Sequence, residues 1–371
     1  MEPITGQEVN HSISLFDQLQ SNEHEQIVVC SDKDTGLKAI IGIHDTTLGP
    51  ALGGTRMWPY TSDQEALRDV LRLSKGMTYK ASVAGLNLGG GKAVIIGDPR
   101  KDKSEAFFRT YGRFIEGLAG RYITAEDVSI GLKEIEQIRM ETQYVTGIPE
   151  SVGGSGDPSP VTAYGTYMGM KACAKKMYGS DDLSGKEVAV QGAGNVSWYL
   201  IKHLTESGAK VYVSDIYDDK IKQVTDHFDV KVVDPDDIYD VNADIFSPCA
   251  LGGIINDKTI PKLKCDIVAG AANNQLDDEH THGRKLISSG IMYAPDYVIN
   301  AGGLINVANE LEGYNAERAL TQASRIYDKI VEVMDYATEN DMPPYEASNE
   351  LAENRIKAIS KIKGIYASSS P

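Results

Sequence analysis

Apolar positions along the chain follow two rhythms, and the change between them divides it. Over the first 150 residues strands and helices are mixed. Glu25–Cys30 and Leu37–His44 read as strands, the second alternating at its start and apolar at its centre. Ser62 followed by Glu65 forms a capping box, and Ala66, Leu67, Val70 and Leu71 then recur at helical spacing. Lys92–Ile96 predicts a short β-branched strand that stops at the Gly97-Asp98-Pro99 turn. Ser104 caps another helix, with Phe107, Phe108, Tyr111 and Ile115 as its inner stripe. Ser151–Pro160 is rich in glycine and proline, and a helix over about Val161–Tyr178 follows. From Gly185 onward near-continuous apolar strands (EVAVQ, KVYVS, VKVV, ADIFS, CDIVAG, IMYAP) alternate with helices. That alternation predicts a parallel, doubly wound sheet. Two amphipathic helices, roughly Asn315–Glu339 and Tyr345–Lys363, close the chain on either side of a Pro343–Pro344 break.

At 371 residues the chain exceeds one ordinary core, so two α/β domains are expected, divided near residue 150. Net charge is −16, which argues against nucleic acid or an anionic membrane as partner. No apolar run approaches a membrane span, and MEPITGQEVNHSISLFDQL lacks the basic and apolar regions of a signal peptide. Cys30, Cys173, Cys249 and Cys265 are scattered without metal-ligand spacing. Lone thiols without an export signal predict a reducing cytoplasm and no metal site.

Two features carry chemistry. Lys80 and Lys92 are the only charged residues between Gly76 and Gly97, in GMTYKASVAGLNLGGGKAVIIG. Charge in such surroundings is costly, and a desolvated lysine beside another cation loses its proton readily, which suits a base at neutral pH. Snorkelling surface lysines are the plainer alternative. The second feature is Gly192-Ala193-Gly194-Asn195-Val196-Ser197, which follows EVAVQ and opens a helix, the context a dinucleotide fingerprint requires. Gly192 permits the tight turn, and Gly194 lets the backbone approach a pyrophosphate at the helix N-terminus. Ser197 stands where a third glycine is usual. Asp215, eighteen positions on, would accept from the ribose hydroxyls and repel a 2′-phosphate, favouring NAD over NADP. Gly85 with Gly91-Lys92 imitates a phosphate loop, but the spacing is one residue too long and Ala93 replaces its Ser/Thr.

With these residues in place the chain resembles the glutamate/leucine/phenylalanine/valine dehydrogenase family, and within it the branched-chain members. The shared motifs run in order from Gly49 to about Gly313: GPALGGTRMW, GMTYK, GLNLGGGKAVIIGDP, GRYITAEDV, SGDPSPVTAYG, QGAGNV, SPCALGG, AANNQL and YAPDYVINAGGLINV. The resemblance implies a substrate-binding and oligomerisation domain over 1–150, completed by the C-terminal helix 345–371. It implies a Rossmann-type NAD-binding domain over 151–344. It places Lys80 on the substrate carboxylate, with the backbone of Gly53 and Gly54, in an LGG turn, as the second contact. Lys92 becomes the catalytic lysine, its pKa depressed by a cationic Lys80 so that it activates water, and Asp127 handles protons at the amino group. Thr162, Asn273 and Asn274 take the nicotinamide side of the cofactor cleft, and Ala271 and Asn300 are further cofactor-binding residues.

The implied reaction is oxidative deamination of an L-amino acid with NAD, through an imine and a carbinolamine, to a 2-oxo acid and ammonia. Leu52, Met77, Ala125, Leu304 and Val307 resemble the side-chain pocket. Glutamate-specific relatives carry a lysine at the position of Leu52 and a serine near that of Val307, so a γ-carboxylate would be buried unpaired here. TAEDV and DPSPVTAYG resemble the branched-chain group, so leucine is expected, with valine and isoleucine only methylenes away, phenylalanine as the rival substrate and a catalytically silent NAD-binding protein as the reading from another class. Intact Lys80, Lys92 and Asp127 argue against silence. Similarity also implies a homo-oligomer, possibly an octamer, and closure of two domains about Ser151–Pro160. One stretch departs from the family: Ser129-Ile130-Gly131-Leu132 follows Val128 where a Gly-Thr pair is usual.

Overall fold

The computed structural model describes residues 14–362. The start of the stretch tested for an export signal, and the end of the closing helix from residue 363, lie outside that range.

After α1 (Leu15–Ser21), five strands form the first sheet: β1 (Gln26–Ser31), β2 (Lys38–Asp45), β3 (Ala51–Trp58), β4 (Gly89–Ile96) and β5 (Tyr122–Ala125). Their order is β1-β2-β4-β3-β5, antiparallel as far as β4 and parallel among β4, β3 and β5. Helix α2 (Asp63–Val83) covers one face. Its Ala66, Leu67, Val70 and Leu71 pack on Ile40 and Val94. Helices α3 (Glu105–Glu116) and α4 (Leu132–Arg139) cover the other. There Phe107, Phe108, Tyr111, Ile115, Ile135 and Ile138 meet Ile41, Ile43, Ala93 and Ile95. Burying both faces is why β2 and the end of β4 read as apolar runs, and each large side chain so buried contributes about 1.5–3 kcal/mol.

The glycines mislead local reading here. Strand β4 begins at Gly89 rather than Lys92, because α2 lies so close that a Cβ on Gly90 would sit 2.1 Å from the Thr78 amide. Gly53 and Gly54 are in the middle of β3, not in a turn. A Cβ on Gly53 would fall 1.7 Å from the Gly91 carbonyl, and one on Gly54 2.3 Å from that of Glu126. Strand β3 was hidden by this pair. Half of the expected capping box forms: Ser62 accepts from the Glu65 amide at 3.2 Å, while the Glu65 carboxylate accepts from Thr61. Helix α2 then continues through GMTYK and carries Lys80 in its last turn.

Helix α5 (Ser159–Tyr178) leads into the second sheet: β6 (Glu187–Gln191), β7 (Lys210–Ser214), β8 (Val230–Val232), β9 (Ile245–Pro248), β10 (Ile267–Val268) and β11 (Met292–Tyr293). It is parallel throughout, in the order β11-β10-β9-β6-β7-β8. Helix α6 (Asn195–Glu206) links β6 to β7, α7 (Asp218–Thr225) precedes β8, and α8 (Glu279–Ser288) precedes β11. Val188, Val190, Val211 and Val213 face α5 and α6, where Met170, Cys173, Leu200 and Leu204 meet them. Ala189, Phe246 and Val268 face the opposite side with Leu286 and Tyr293.

Short helices α9 (Asp296–Ile299) and α10 (Gly302–Ala308) follow. The predicted single helix over Asn315–Glu339 is two, α11 (Ala316–Ser324) and α12 (Ile326–Glu339), bent at Arg325. Each half serves a different core: Ala319 and Ala323 pack on Val161, whereas Ile326, Ile330 and Met334 join the cluster around α5. Helix α13 (Pro344–Ser360) starts on the proline expected to break it, at a first-turn position whose N–H would lack an intrahelical partner anyway. It returns to the first sheet's α2, where Arg355 donates to the carbonyls of Ser82 and Leu86 at 2.9 and 2.7 Å and Tyr79 donates to Glu353. The molecule is thus a two-domain α/β protein with a Rossmann-like parallel sheet and C-terminal helices packed back. Among the described residues no helix is long and apolar enough to cross a membrane.

Candidate active site

Side chains from both halves converge between the sheets. Leu52 on β3, Met77 and Lys80 on α2, Ala125 at the end of β5, and Leu304 and Val307 on α10 line one cavity of about 190 Å³. All six were singled out from the sequence, although some 250 residues separate the outermost. Glu126, Gly156 and Pro158 also line the cavity and were not anticipated. Their signal was present in the TAED and SGDPSP motifs, but no periodicity points them inward. Burial and the neighbouring carboxylates Asp157, Glu134 and Glu310 raise the Glu126 pKa.

The two lysines differ. Lys92, central in β4 and 8 % exposed, places Nζ 2.5 Å from Asp127 Oδ2, just beyond β5. Burial opposes ionisation of Asp127, but Lys92 and Arg56 outweigh it and hold its carboxyl below the usual range. Arg56, which the sequence reading missed, brings Nε to 3.4 Å from the same oxygen. Lys80 donates to Asn300 Oδ1 at 2.6 Å. Burial lowers its pKa to about 8; Asp296 works against this fall and Lys92 adds to it. Lys80, expected to stay cationic on the substrate carboxylate, is therefore itself drawn down by dehydration. The reason is tertiary: α9 and α10 close over the end of α2, and dehydration outweighs the charge of Asp296.

The departure after Val128 is absorbed locally. Ser129 takes a left-handed φ of +63°, Ile130 N–H donates to the Asp127 carbonyl at 2.9 Å, and Ile130 is buried against the α3 side of the core. Asp127 is thereby anchored at both ends of a tight turn.

Asn300 joins the lysine site to the second sheet. Its amide donates to Asn273 Oδ1 at 2.8 Å and to the Ala271 carbonyl at 3.2 Å, at the loop after β10. Thr162 donates to the Pro158 carbonyl and lies under α10, where a Cβ on Gly303 would come 2.9 Å from its hydroxyl. Asn274 is exposed, at φ +51°, with its carbonyl taken by the Gly253 amide. Glu310, also missed, accepts from the amides of Gly147 and Ser155 at 3.0 and 2.7 Å and so fastens their loop to the segment just after α10.

The fingerprint turn fits a dinucleotide. Gly192 has φ +102° with a Cβ position 2.9 Å from Ala250, so a side chain is barred there. Gly194 faces open space, and α6 starts at exposed Asn195, presenting free helix-end amides to a phosphate. Val196 packs inward against the α5 side of the sheet. Asp215 follows β7; its oxygens accept from Ala193 N at 2.7 Å and Tyr217 N at 3.0 Å, and each keeps acceptor capacity. Ser197 is fully buried where glycine is usual, and helix and strand pack closely around its hydroxyl.

A glycine-turned βα crossover on a parallel sheet, facing a lysine-bearing apolar cavity on a second sheet, is the build of a dinucleotide-dependent oxidoreductase. Residues 24–144 match the family model described as Glu/Leu/Phe/Val dehydrogenase, dimerisation domain, and residues 153–218 and 213–364 match Glutamate/Leucine/Phenylalanine/Valine dehydrogenase. The chain belongs to this family and is an amino acid dehydrogenase. It is 58% identical to a leucine dehydrogenase of Geobacillus stearothermophilus over 354 residues, covering 95% of this chain and 96% of that one. A phenylalanine dehydrogenase of Lysinibacillus sphaericus is 52% identical over 339 residues, 90% of this chain and 89% of the relative. The crystal structure of L-tryptophan dehydrogenase from Nostoc punctiforme superposes with a TM-score of 0.85 at 46% identity, covering 94% and 100% of the two chains.

Proposed function

We propose that the protein catalyses the reversible, NAD-dependent oxidative deamination of branched-chain L-amino acids, L-leucine preferred, to 4-methyl-2-oxopentanoate, ammonia and NADH. The observation that carries this reading is the single cavity with a lysine at one wall, aliphatic side chains on the others, and the Lys92–Asp127 pair one strand away. Lys80 takes the α-carboxylate, orienting the α-carbon, with the backbone of Gly53 and Gly54 beside it. Leu52, Met77, Ala125, Leu304 and Val307 receive the isobutyl group. Apart from Lys80, which takes the α-carboxylate, no cation lines the cavity to pair a γ-carboxylate, and Glu126 would repel one, which disfavours glutamate.

Gly192–Val196 and Asp215 would hold NAD, which would supply the acceptor for the hydride of the α-carbon. The chain's residues do the rest. Asp127 takes a proton from the amino group and later returns one to it, and Lys92 removes a proton from the water that attacks the imine carbon. Asn300, held by Asn273 and Ala271, keeps Lys80 pointed at the carboxylate while Thr162 and Asn274 contribute to the nicotinamide side. Residues 1–150 with 345–371 serve as the substrate and oligomerisation half and 151–344 as the nucleotide half of a cytoplasmic homo-octamer.

Following NADH absorbance with a panel of L-amino acids and both nicotinamide cofactors tests this directly. Leucine with NAD should give the highest kcat/KM. Preferred turnover of phenylalanine would replace leucine as substrate, and absence of any turnover would leave a silent binder. Lys92→Ala should lower kcat at least ~100-fold with NAD affinity retained.

A further inference from the structure

A string of ion pairs runs from the surface to the Lys92–Asp127 pair, and no step of the proposed reaction uses it. Asp127 Oδ2 faces two cations, Lys92 Nζ at 2.5 Å and Arg56 Nε at 3.4 Å. The far end of Arg56 is also held: its Nη1 is 3.1 Å from Asp69 Oδ2, which accepts from the Tyr60 hydroxyl at 2.6 Å. Asp69 Oδ1 is 3.1 Å from Arg72 Nη2. The Arg56 and Asp127 side chains are only 23% and 20% exposed, so their attraction is not a solvent-screened surface contact.

We infer that Arg56 is a positioning residue, which keeps the Asp127 carboxylate ionised and aimed at the substrate while Lys92 turns away from it to the attacking water. The inference rests on the deamination reading. The Lys92 amine that takes a proton from water carries no charge with which to hold Asp127, and a half-buried carboxylate left alone would take up a proton. A guanidinium suits the task because it stays charged through the working pH range, and Asp69 and Tyr60 prevent it from following Lys92. Both Arg56 and Asp69 border an open cleft of about 480 Å³, so water reaches the outer end of the string. The other groups around the pair are Lys80 from α2 and Tyr122 from β5, with Glu126 its chain neighbour and Arg72 and Asp296 farther out.

The pH profile of kcat for leucine oxidation reads this coupling. Loss of a cation raises the proton affinity of both partners, so in Arg56→Gln the acid limb, which belongs to the pair as a whole, should move up by about one pH unit. Arg56→Lys should return most of that shift, and Asp69→Asn, which deletes an anion, should move the limb the other way. A merely structural arginine would lower stability or kcat and leave the limb in place; an unmoved limb in Arg56→Gln overturns the inference. Should that variant not fold, an unmoved limb in Asp69→Asn does so. If the unaltered protein oxidises no amino acid, the deamination reading fails separately. Thermal unfolding of Arg56→Lys, Asp127→Asn and the double variant then decides the coupling, with strictly additive Tm changes counting against it.

Discussion

Lys80 is where a single residue's environment has the clearest consequence. Its pKa near 8 means that the ammonium is charged at neutral pH and loses its proton within the range in which such enzymes can be assayed. A carboxylate binds the cationic form. Affinity for an amine-free substrate analogue such as 4-methylpentanoate should therefore be constant below about pH 8 and weaken above it, approaching tenfold per pH unit. Inhibition constants measured with NAD present between pH 6.5 and 10 check this, and a flat profile would mean that Lys80 does not hold the carboxylate. Its effect on folding has the same origin. The folded pKa lies below the unfolded value of 10.5, so the cost of burying the charge is in full force below about 8 and is relieved as pH rises toward 10.5.

At the scale of elements, α2 and β2 are joined by a pair of imidazoles that the reaction does not need. His44 Nδ1 bonds Thr78 Oγ1 and His24 Nε2 bonds Ser74 Oγ, both at 2.8 Å, with the rings edge to face at 4.8 Å. Burial chiefly lowers both to about 4 from 6.5, with His44 and Lys75 adding to the fall for His24 and Lys75 to that for His44. An unfolded chain takes up these protons first, so the stability from the neutral pair is complete above pH 6.5 and is lost as pH falls to about 4. For buried His44 this amounts to about 3 kcal/mol. Urea unfolding at a series of pH values should show a shallower acid decline in His44→Gln than in the unaltered protein. Parallel declines would exclude the pair as the cause.

For the whole molecule, Ser151–Pro160 stands in the chain between the cavity's β3, α2 and β5 walls and its α10 wall. Glu310 ties the two sides through Gly147 and Ser155. Hydride transfer requires water to be shut out, so NAD and substrate together should draw these walls closer. Small-angle scattering coupled to light scattering reads both closure and assembly. The particle mass should lie near eight times the 40.3 kDa of one chain, and the radius of gyration should fall with NAD plus an unreactive leucine analogue. An unchanged radius argues against closure, and a dimer or hexamer mass against the octamer.

What the sequence determined by itself is local in origin. Apolar strands alternating with helices specified the parallel sheet, a glycine turn between strand and helix pointed to a nucleotide site, and two lysines in an uncharged stretch pointed to the chemistry. The identity of the cavity residues came from ordered motifs rather than from spacing. Only the tertiary structure decided that Gly53 and Gly54 lie within a strand, because the reason is the approach of β4 and the loop beyond β5. It alone brought Arg56 to Asp127 and Glu310 to Gly147 and Ser155, and it dehydrated Lys80. Periodicity records which way neighbouring residues face. Dehydration, electric field and backbone clearance are set by atoms distant in the chain, and a linear pattern carries no record of them.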